Sequence, residues 1–184
     1  MATRDDLIDA TQTLLSEKGY EATSPRDILQ ASGAGQGSFY HHFESKADLA
    51  SVALGTLADE MCGQFDEMTA SYEAGPVHGY LELQRDALAG CRIGRIAMES
   101  SLSDERIREP IARYFEYLRD RLSVAFSEID TGLDAEALAD LAIAAVQGGF
   151  VVARATGDPA AMQHATSALV DLVDMATSRR SDMR

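Results

Sequence analysis

The chain has 184 residues, and its 16 Lys and Arg face 30 Asp and Glu, so its formal net charge is -14. With 46% hydrophobic residues it has a globular composition and can build a core of ordinary size. The charge excludes a broadly basic protein that coats nucleic acid or anionic membrane, so any DNA contact must come from a small local patch.

Cysteine content and the chain start predict a soluble cytoplasmic protein. Cys62 and Cys91 are too few for a disulfide framework, and the first six residues are polar and acidic, without the apolar core of a secretory signal. The most apolar stretch, residues 138–155, contains Asp140, Gln147 and Arg154. It therefore predicts a buried helix and no membrane span.

Apolar periodicity and capping residues predict an all-α fold, and no stretch alternates as a strand would. In the first part of the chain we expect helices over residues 3–18, 25–32 and 36–43, and a long helix from Ser45 to about Ser71. Gly19 lies just past the first helix, and Ser24 and Ser45 are N-cap residues.

The rest of the chain predicts longer amphipathic helices. We expect one from Pro76 to about residues 90–94, and a helix or helix pair over 95–129 that restarts near Asp104 or Pro110. Asp134 caps a helix through residue 155, and Asp158 caps a last helix to about residue 177. The polar tail 178–184 is expected to fray.

Residues 24–43 have the pattern of a helix-turn-helix unit, two short helices joined by a glycine-containing turn. The second helix of such a unit lies in the major groove and offers its N-terminal residues to base edges. Hydrogen-bonding side chains and small residues fill the corresponding positions here: Gln36, Gly37, Ser38, Tyr40 and His41. Ser24, Arg26 and Lys46 start the flanking helices, where phosphates bind well.

Local charge favours DNA binding over the alternative of an ordinary helical bundle, in which short helices and glycine turns are also common. Residues 28–43 contain no Asp or Glu, although the chain as a whole is strongly acidic. The candidate reading surface is therefore free of the groups that would repel phosphates.

The same stretch closely resembles the DNA-binding signature of the TetR family of bacterial transcriptional repressors. The resemblance covers about residues 3–50 and is carried by Thr23, Ser24, Pro25, Arg26, Asp27, Ile28, Gly33, Gly35, Gln36, Gly37, Ser38, Phe39, Tyr40, His41, His42, Phe43, Lys46 and Leu49. Most such sequences have Lys in place of Gln36, and this difference weakens the local positive charge, although Gln can read adenine through two hydrogen bonds.

The resemblance implies a homodimer on a roughly palindromic double-stranded DNA operator. Residues 1–46 would form a three-helix DNA-binding domain, and residues 47–184 a helical ligand-binding and dimerisation domain. The DNA-contacting roles would fall on Ser24, Arg26, Gln36, Gly37, Ser38, Tyr40, His41 and Lys46.

Two helical stripes near the end of the chain predict the dimer interface that the resemblance implies, with the protomer's own core as the alternative. The predicted interface residues are Leu138, Leu141, Ala142, Ala145, Gly149, Val152, Met162, Ala165, Leu169, Leu172 and Val173.

The middle helices are expected to hold a pocket for a small apolar effector, although residues of these types more often form core. The candidate pocket residues are Met61, Phe65, Tyr80, Leu83, Gln84, Leu88, Cys91, Met98, Tyr114, Phe115, Leu118 and Phe150. Residues 90–94 also resemble a Gly-Cys-x-x-Gly element of one branch of the family. Arg92 and Arg95 could activate Cys91 as a redox or electrophile sensor, with a small buried hydrophobe as the alternative.

Enzyme chemistry has little support in the sequence. There is no nucleophile elbow, glycine phosphate loop or metal-ligand spacing, so we expect no cofactor, no metal and no catalytic residues. A helical enzyme and a transcriptional activator on the same fold remain as competing hypotheses.

Overall fold

The computed structural model describes residues 3–182, and within them the regular structure is entirely helical, which confirms the all-α prediction. The α-helices are α1 (Arg4–Lys18), α2 (Pro25–Ser32), α3 (Gln36–His42), α4 (Lys46–Ala70), α5 (Pro76–Glu82), α6 (Glu105–Ser127), α7 (Ala135–Thr156) and α8 (Ala160–Asp182). Two 3₁₀ helices, Ile96–Met98 and Ser100–Ser103, lie between α5 and α6.

Local caps start and end the first helices, and the predicted N-cap Ser24 is one of them. Thr3 and Ser24 form reciprocal capping boxes with Asp6 and Asp27, which satisfy backbone N–H groups that the first turn leaves without partners. Gly33 ends α2 in the left-handed conformation at φ 66°. The sequence therefore sets these boundaries locally, before tertiary contacts contribute.

Helix α5 is much shorter than predicted, since it ends at Glu82 and not near residues 90–94. The Arg85 guanidinium donates to the carbonyls of Tyr80 at 2.5 Å and Leu83 at 3.0 Å, and so caps the open end of the helix. The Asp86 carboxylate accepts from two backbone N–H groups further on, a local pattern that competes with helix. Side-chain to backbone hydrogen bonds thus outweigh the helical periodicity here.

The predicted helix or helix pair over residues 95–129 restarts at Asp104. The Asp104 carboxylate accepts from the Arg106 N–H at 3.0 Å, and α6 begins at Glu105. The alternative restart at Pro110 is wrong, because Pro110 lies inside α6.

Helices α7 and α8 pack against each other, and Gly149 lets them approach closely, because a Cβ there would lie 3.1 Å from the Met162 Cα. Helix α8 continues through Asp182, so its predicted end near residue 177 is wrong, while residues 183–184 of the polar tail lie outside the described part. An ion pair of 3.0 Å between Arg180 and Asp130 stabilises the last turns of α8.

Helix α7 is long and apolar enough to cross a membrane by length and composition, and 28% of its most apolar window is buried. A buried apolar helix was expected, so the structure leaves more of this surface uncovered than the sequence predicted. A soluble core helix and an interface helix pass the same test of length and composition.

The chain forms two compact units. The first contains the described residues up to Met61 together with Cys91–Tyr114, and the second contains Cys62–Gly90 together with the described residues from Phe115 onward. Fully buried side chains such as Leu7, Ile28 and Ile107 form the core of the first unit, and Leu81, Leu118 and Phe126 that of the second. The predicted functional boundary between residues 46 and 47 stays a prediction.

Candidate nucleic-acid interface

The helix-turn-helix is held together by its aromatic side chains and its turn. Phe39 and Phe43 are 2% and 3% exposed, with ring centroids 6.4 Å apart, so both side chains face inward as predicted, and Ile28 is fully buried. In the turn, the Ser32 hydroxyl donates to the Ile28 carbonyl at 2.8 Å and accepts from the Ala34 N–H at 3.2 Å. These contacts leave the opposite side of α3 open to solvent.

Most of the predicted DNA-contacting residues are exposed to solvent. Tyr40 is 60% exposed although it is a large aromatic residue, and a Cβ at Gly37 would meet nothing within 4 Å. Ser24, Arg26, Gln36, Gly37, Tyr40 and His41 are exposed, whereas Ser38 and Lys46 are half-buried. Their contacts with DNA stay a prediction.

Asp27, the acidic residue next to the acid-free stretch, is engaged within the protein. Its carboxylate accepts from the Ser24 N–H at 2.8 Å and forms an ion pair of 3.0 Å with Lys18. The backbone hydrogen bond from Ser24, and then the Lys18 ammonium and the Ser24 hydroxyl, lower the pKa of Asp27 to about 2.

We expect Asp27 to contribute to acid sensitivity. Its pKa in the folded protein lies below its ordinary value of 3.8, so its contribution to stability is present above that value and disappears as the pH falls towards about 2. The Asp27→Asn variant should be less stable than wild type at neutral pH, and the difference should shrink below pH 3.8. Urea unfolding at several pH values measures this difference, and a pH-independent difference would contradict the expectation.

The Lys46 ammonium makes contacts within the protein that its sequence position did not indicate. Its Nζ donates to the Tyr20 carbonyl at 2.7 Å and lies 3.8 Å from the centroid of the Tyr20 ring. Desolvation lowers the pKa of this ammonium, and the nearby carboxylates of Glu99 and Glu21 oppose that shift. Lys46 therefore holds the turn between α1 and α2, and its phosphate contact stays a prediction.

A reciprocal lock joins this α1–α2 turn to residues 95–103, called here the 3₁₀ segment. The Glu99 carboxylate accepts from the Glu21 N–H at 2.9 Å, and the Glu21 carboxylate accepts from the Ser100 hydroxyl at 2.5 Å and the Ser101 N–H at 2.9 Å. These hydrogen bonds, first that of the Ser100 side chain, lower the pKa of Glu21. Sequence reasoning missed the lock, because the partners are 78 to 80 positions apart.

The predicted effector residues are divided between the two units. Met61, Cys91, Met98 and Tyr114 belong to the first unit, and the others belong to the second. Phe65 and Tyr80 do lie together, with ring centroids 5.8 Å apart. Leu83, Leu88 and Met98 are 42%, 46% and 71% exposed, so they do not line an enclosed apolar pocket.

A solvent-open cavity of about 560 Å³ lies in the second unit, between residues 72–87 and the first half of α8. Only Leu83 and Gln84 of the predicted pocket residues line it. Its floor is apolar, with Leu81 and Met162 buried, and amide, hydroxyl and charged side chains form its walls. The cavity exists because α5 ends early and leaves room beside α8.

Cys91 lies just after Gly90, whose φ is 88°, and is half-buried with a free thiol. The cations expected to activate it have other partners: Arg92 forms an ion pair of 3.9 Å with Glu60, and Arg95 donates to the Glu17 carbonyl. A sensor role for Cys91, and the family branch that its motif indicates, stay predictions.

The predicted dimer residues divide between core and surface. Leu138, Ala142, Gly149, Met162, Leu169 and Val173 are buried within the protomer, Ala145 is half-buried, and Leu141, Val152, Ala165 and Leu172 are exposed. The six buried residues therefore belong to the core of the protomer, which was the alternative interpretation. The four exposed residues are available to a partner.

Two family descriptions match the chain. "Bacterial regulatory proteins, tetR family" matches residues 7–53, and "Transcriptional regulator LmrA/YxaF-like, C-terminal domain" matches residues 82–168. Together they cover more than two thirds of the chain, including the helix-turn-helix and most of the second unit.

Relatives and solved structures agree with these matches. An uncharacterized HTH-type transcriptional regulator in the lacX 3' region of Lactococcus lactis subsp. lactis is 26% identical over 167 residues, with 85% of both chains covered. The repressor KstR2 of Rhodococcus jostii is 41% identical over 68 residues, 37% of this chain and 33% of that protein. A TetR-family regulator from Cytophaga hutchinsonii has the same fold at a TM-score of 0.82 and 20% identity, with 93% and 92% of the two chains covered.

The fold and the exposed helix-turn-helix define a DNA-binding transcriptional regulator. The chain belongs to the TetR family of bacterial regulatory proteins.

Proposed function

We propose that this chain is a cytoplasmic repressor that binds a palindromic operator as a homodimer and is released by a small molecule. The acid-free, exposed side of α3 carries this proposal, because it combines hydrogen-bonding side chains with open space at Gly37. An exposed aromatic such as Tyr40 on a surface without carboxylates is suited to a nucleic acid and unfavourable in water alone.

Fluorescence anisotropy with the DNA upstream of the protein's own gene tests operator binding. We expect specific binding whose affinity falls steeply with salt, since few cations must overcome the repulsion of a protein with a net charge of -14. Absence of binding at low salt to any fragment from the gene's neighbourhood would contradict the proposal.

The proposed dimer contact is the α7–α8 face, a continuous exposed surface of apolar and small side chains. It consists of Leu141, Ala144, Gly148, Val151, Val152, Ala155, Ala165, Ala168, Leu172 and Met175. Leu172, Val152 and Leu141 are 57%, 50% and 49% exposed, and apolar surface of this kind on two adjacent helices is typical of a protein interface. A second copy fits this surface, since the same face on both copies is self-complementary under twofold symmetry.

The Leu172→Glu variant should shift the protein from dimer to monomer, because two carboxylates would be buried in the interface. Operator affinity should fall at least roughly 100-fold, because linked half-sites bind at high effective concentration. Light scattering measures the mass of the protein in solution, and fluorescence anisotropy measures its affinity for the operator. Ser178→Glu, an exposed change elsewhere on α8, is the matched control and should remain a dimer. A Leu172→Glu variant of unchanged dimeric mass would exclude this face.

Repression is proposed over activation because relatives such as KstR2 carry the name of a repressor. Transcription of the neighbouring genes with and without the gene for this chain distinguishes the two. A rise on deletion supports repression, and a fall supports an activator.

The proposed effector site is the cavity between residues 72–87 and α8, whose volume is within the range of small-molecule sites. Its apolar floor and polar walls suit an amphipathic molecule more than the fully apolar one that the sequence suggested. Residues 83–94 lead from the cavity wall directly into the 3₁₀ segment, which holds the α1–α2 turn through Glu21 and Glu99. An effector that binds more tightly when the hydrogen bonds of this lock are broken would favour that state of the protein. If that state binds DNA less tightly, the effector weakens DNA binding by linkage.

A thermal-shift screen of amphipathic molecules tests the effector site, since a ligand that binds only the folded state raises the melting temperature. The Thr166→Leu variant, which fills the buried wall of the cavity, should abolish the shift. A shift that persists in this variant would place the effector elsewhere.

A further inference from the structure

Cations available for DNA are few at the N-terminal end of the chain. Residues 3–46 contain four Lys and Arg: Arg4, Lys18, Arg26 and Lys46. Lys18 is paired with the Asp27 carboxylate, and the Lys46 ammonium is bound to the Tyr20 carbonyl. Within residues 3–182, Arg4 and Arg26 have no ion pair, so neither would have to break one in order to bind a phosphate.

Arg4 is held at the C-terminal end of α3 although it belongs to α1. Its guanidinium carbon lies 5.3 Å from the centroid of the Phe43 ring, and Phe43 follows directly after α3. The Phe43 ring is in turn 6.4 Å from that of His42, an exposed residue in the last turn of α3. Arg4 itself is exposed, so its guanidinium faces the Phe43 ring and also remains accessible from the solvent.

A recognition helix offers its N-terminal residues to base edges in the major groove, so its C-terminal end is farther from the bases and nearer the sugar-phosphate backbone. In α3 this is the end beside Phe43 and Arg4. A guanidinium at one end of α3 is then within reach of the backbone, where Arg binds phosphate with two hydrogen bonds. We propose that Arg4 is an additional DNA-backbone contact, which anchors the C-terminal end of α3 as the protein binds its operator.

The surrounding charges decide how strong this contact is. Asp5 and Asp6 share the first turn of α1 with Arg4, and Glu44 follows Phe43. Asp6 is occupied by its capping hydrogen bonds with Thr3, while Asp5 and Glu44 are exposed. These carboxylates weaken the long-range attraction between Arg4 and DNA phosphates. The Arg4 contact therefore contributes once α3 is bound in the major groove, and it does little to increase the rate of association.

The salt dependence of binding separates a phosphate contact from a structural role. The full-length Arg4→Gln variant is titrated by anisotropy against its upstream DNA fragment and against a random-sequence duplex, over a range of NaCl concentrations. Each lost phosphate contact should reduce the slope of log K against log salt by about 0.9, hence by about 1.8 for a dimer. Affinity at low salt should fall about tenfold per contact, equally on both duplexes, because phosphates carry no sequence information.

Three further variants complete the experiment. Arg4→Lys should restore the slope. Arg4→Met, which keeps a long unbranched side chain beside Phe43 but removes the charge, should lose it. Arg108→Gln, which removes a guanidinium bound to Glu105, should leave the slope unchanged. Melting temperatures of all four variants are measured alongside.

An unchanged slope in Arg4→Gln would overturn the proposal, whether or not the affinity falls. That result would show that Arg4 serves only to cover Phe43. A lower melting temperature without a change in slope would show the same. Equal slopes for Arg4→Gln and Arg108→Gln, or no binding of wild type to either duplex at low salt, would overturn it as well.

Discussion

Replacement of Gly19 by alanine is expected to destabilise the protein by about 2–4 kcal/mol. Gly19 has φ 85° and ψ 176°, a conformation that L side chains rarely adopt. A Cβ there would overlap the Glu99 carboxylate, which accepts from the Glu21 N–H. Backbone strain and the displaced carboxylate therefore act together, and urea unfolding at neutral pH measures their sum.

Gly63→Ala is the matched control for this variant. Gly63 lies inside α4, and a Cβ at that position would meet nothing within 4 Å. Alanine should stabilise the protein there by roughly 0.5–1 kcal/mol, because it lowers the entropy cost of forming helix. Changes of opposite sign would show that the cost at Gly19 comes from its local conformation and surroundings and is not general to glycine-to-alanine changes. A small effect at Gly19 would contradict the expectation.

The second large effect is expected for Phe39→Ala, which should cost about 3–5 kcal/mol and abolish specific DNA binding. Phe39 is 2% exposed, its ring lies 6.4 Å from that of Phe43, and it fixes α3 against the rest of the helix-turn-helix. A cavity here would loosen the helix that positions Gln36 and His41. Thermal unfolding and anisotropy measure the two consequences.

Tyr40→Ala, the next residue along, should separate stability from binding. The Tyr40 side chain is 60% exposed, so its removal should change stability by no more than about 0.5 kcal/mol. We expect operator affinity to fall in this variant while the melting temperature stays near that of wild type. A large loss of stability in Tyr40→Ala would show that its contact with Phe39, at 5.1 Å between ring centroids, carries structural weight.

Local sequence signals are sufficient to predict the helix-turn-helix. Caps, the left-handed glycine at 33 and the aromatic spacing act over a few residues, so Ser24, Gly33 and Phe39 could each be interpreted from their neighbours. The absence of carboxylates from residues 28–43 is likewise a property of the chain, and the proposed DNA-binding surface rests on it. The starts of α4, α7 and α8 followed from Ser45, Asp134 and Asp158 in the same way.

The division of the apolar residues between core and surface depends on how the helices pack. Leu169 and Leu172 both belong to the periodic pattern of α8, yet packing against α7 and α5 leaves them 6% and 57% exposed. The lock between Glu21 and Glu99 also depends on tertiary structure, because a hydrogen bond across 78 residues forms only when folding has brought the partners together. Arg4 reached the end of α3 for the same reason, since its position beside Phe43 follows from the packing of α1 on α3.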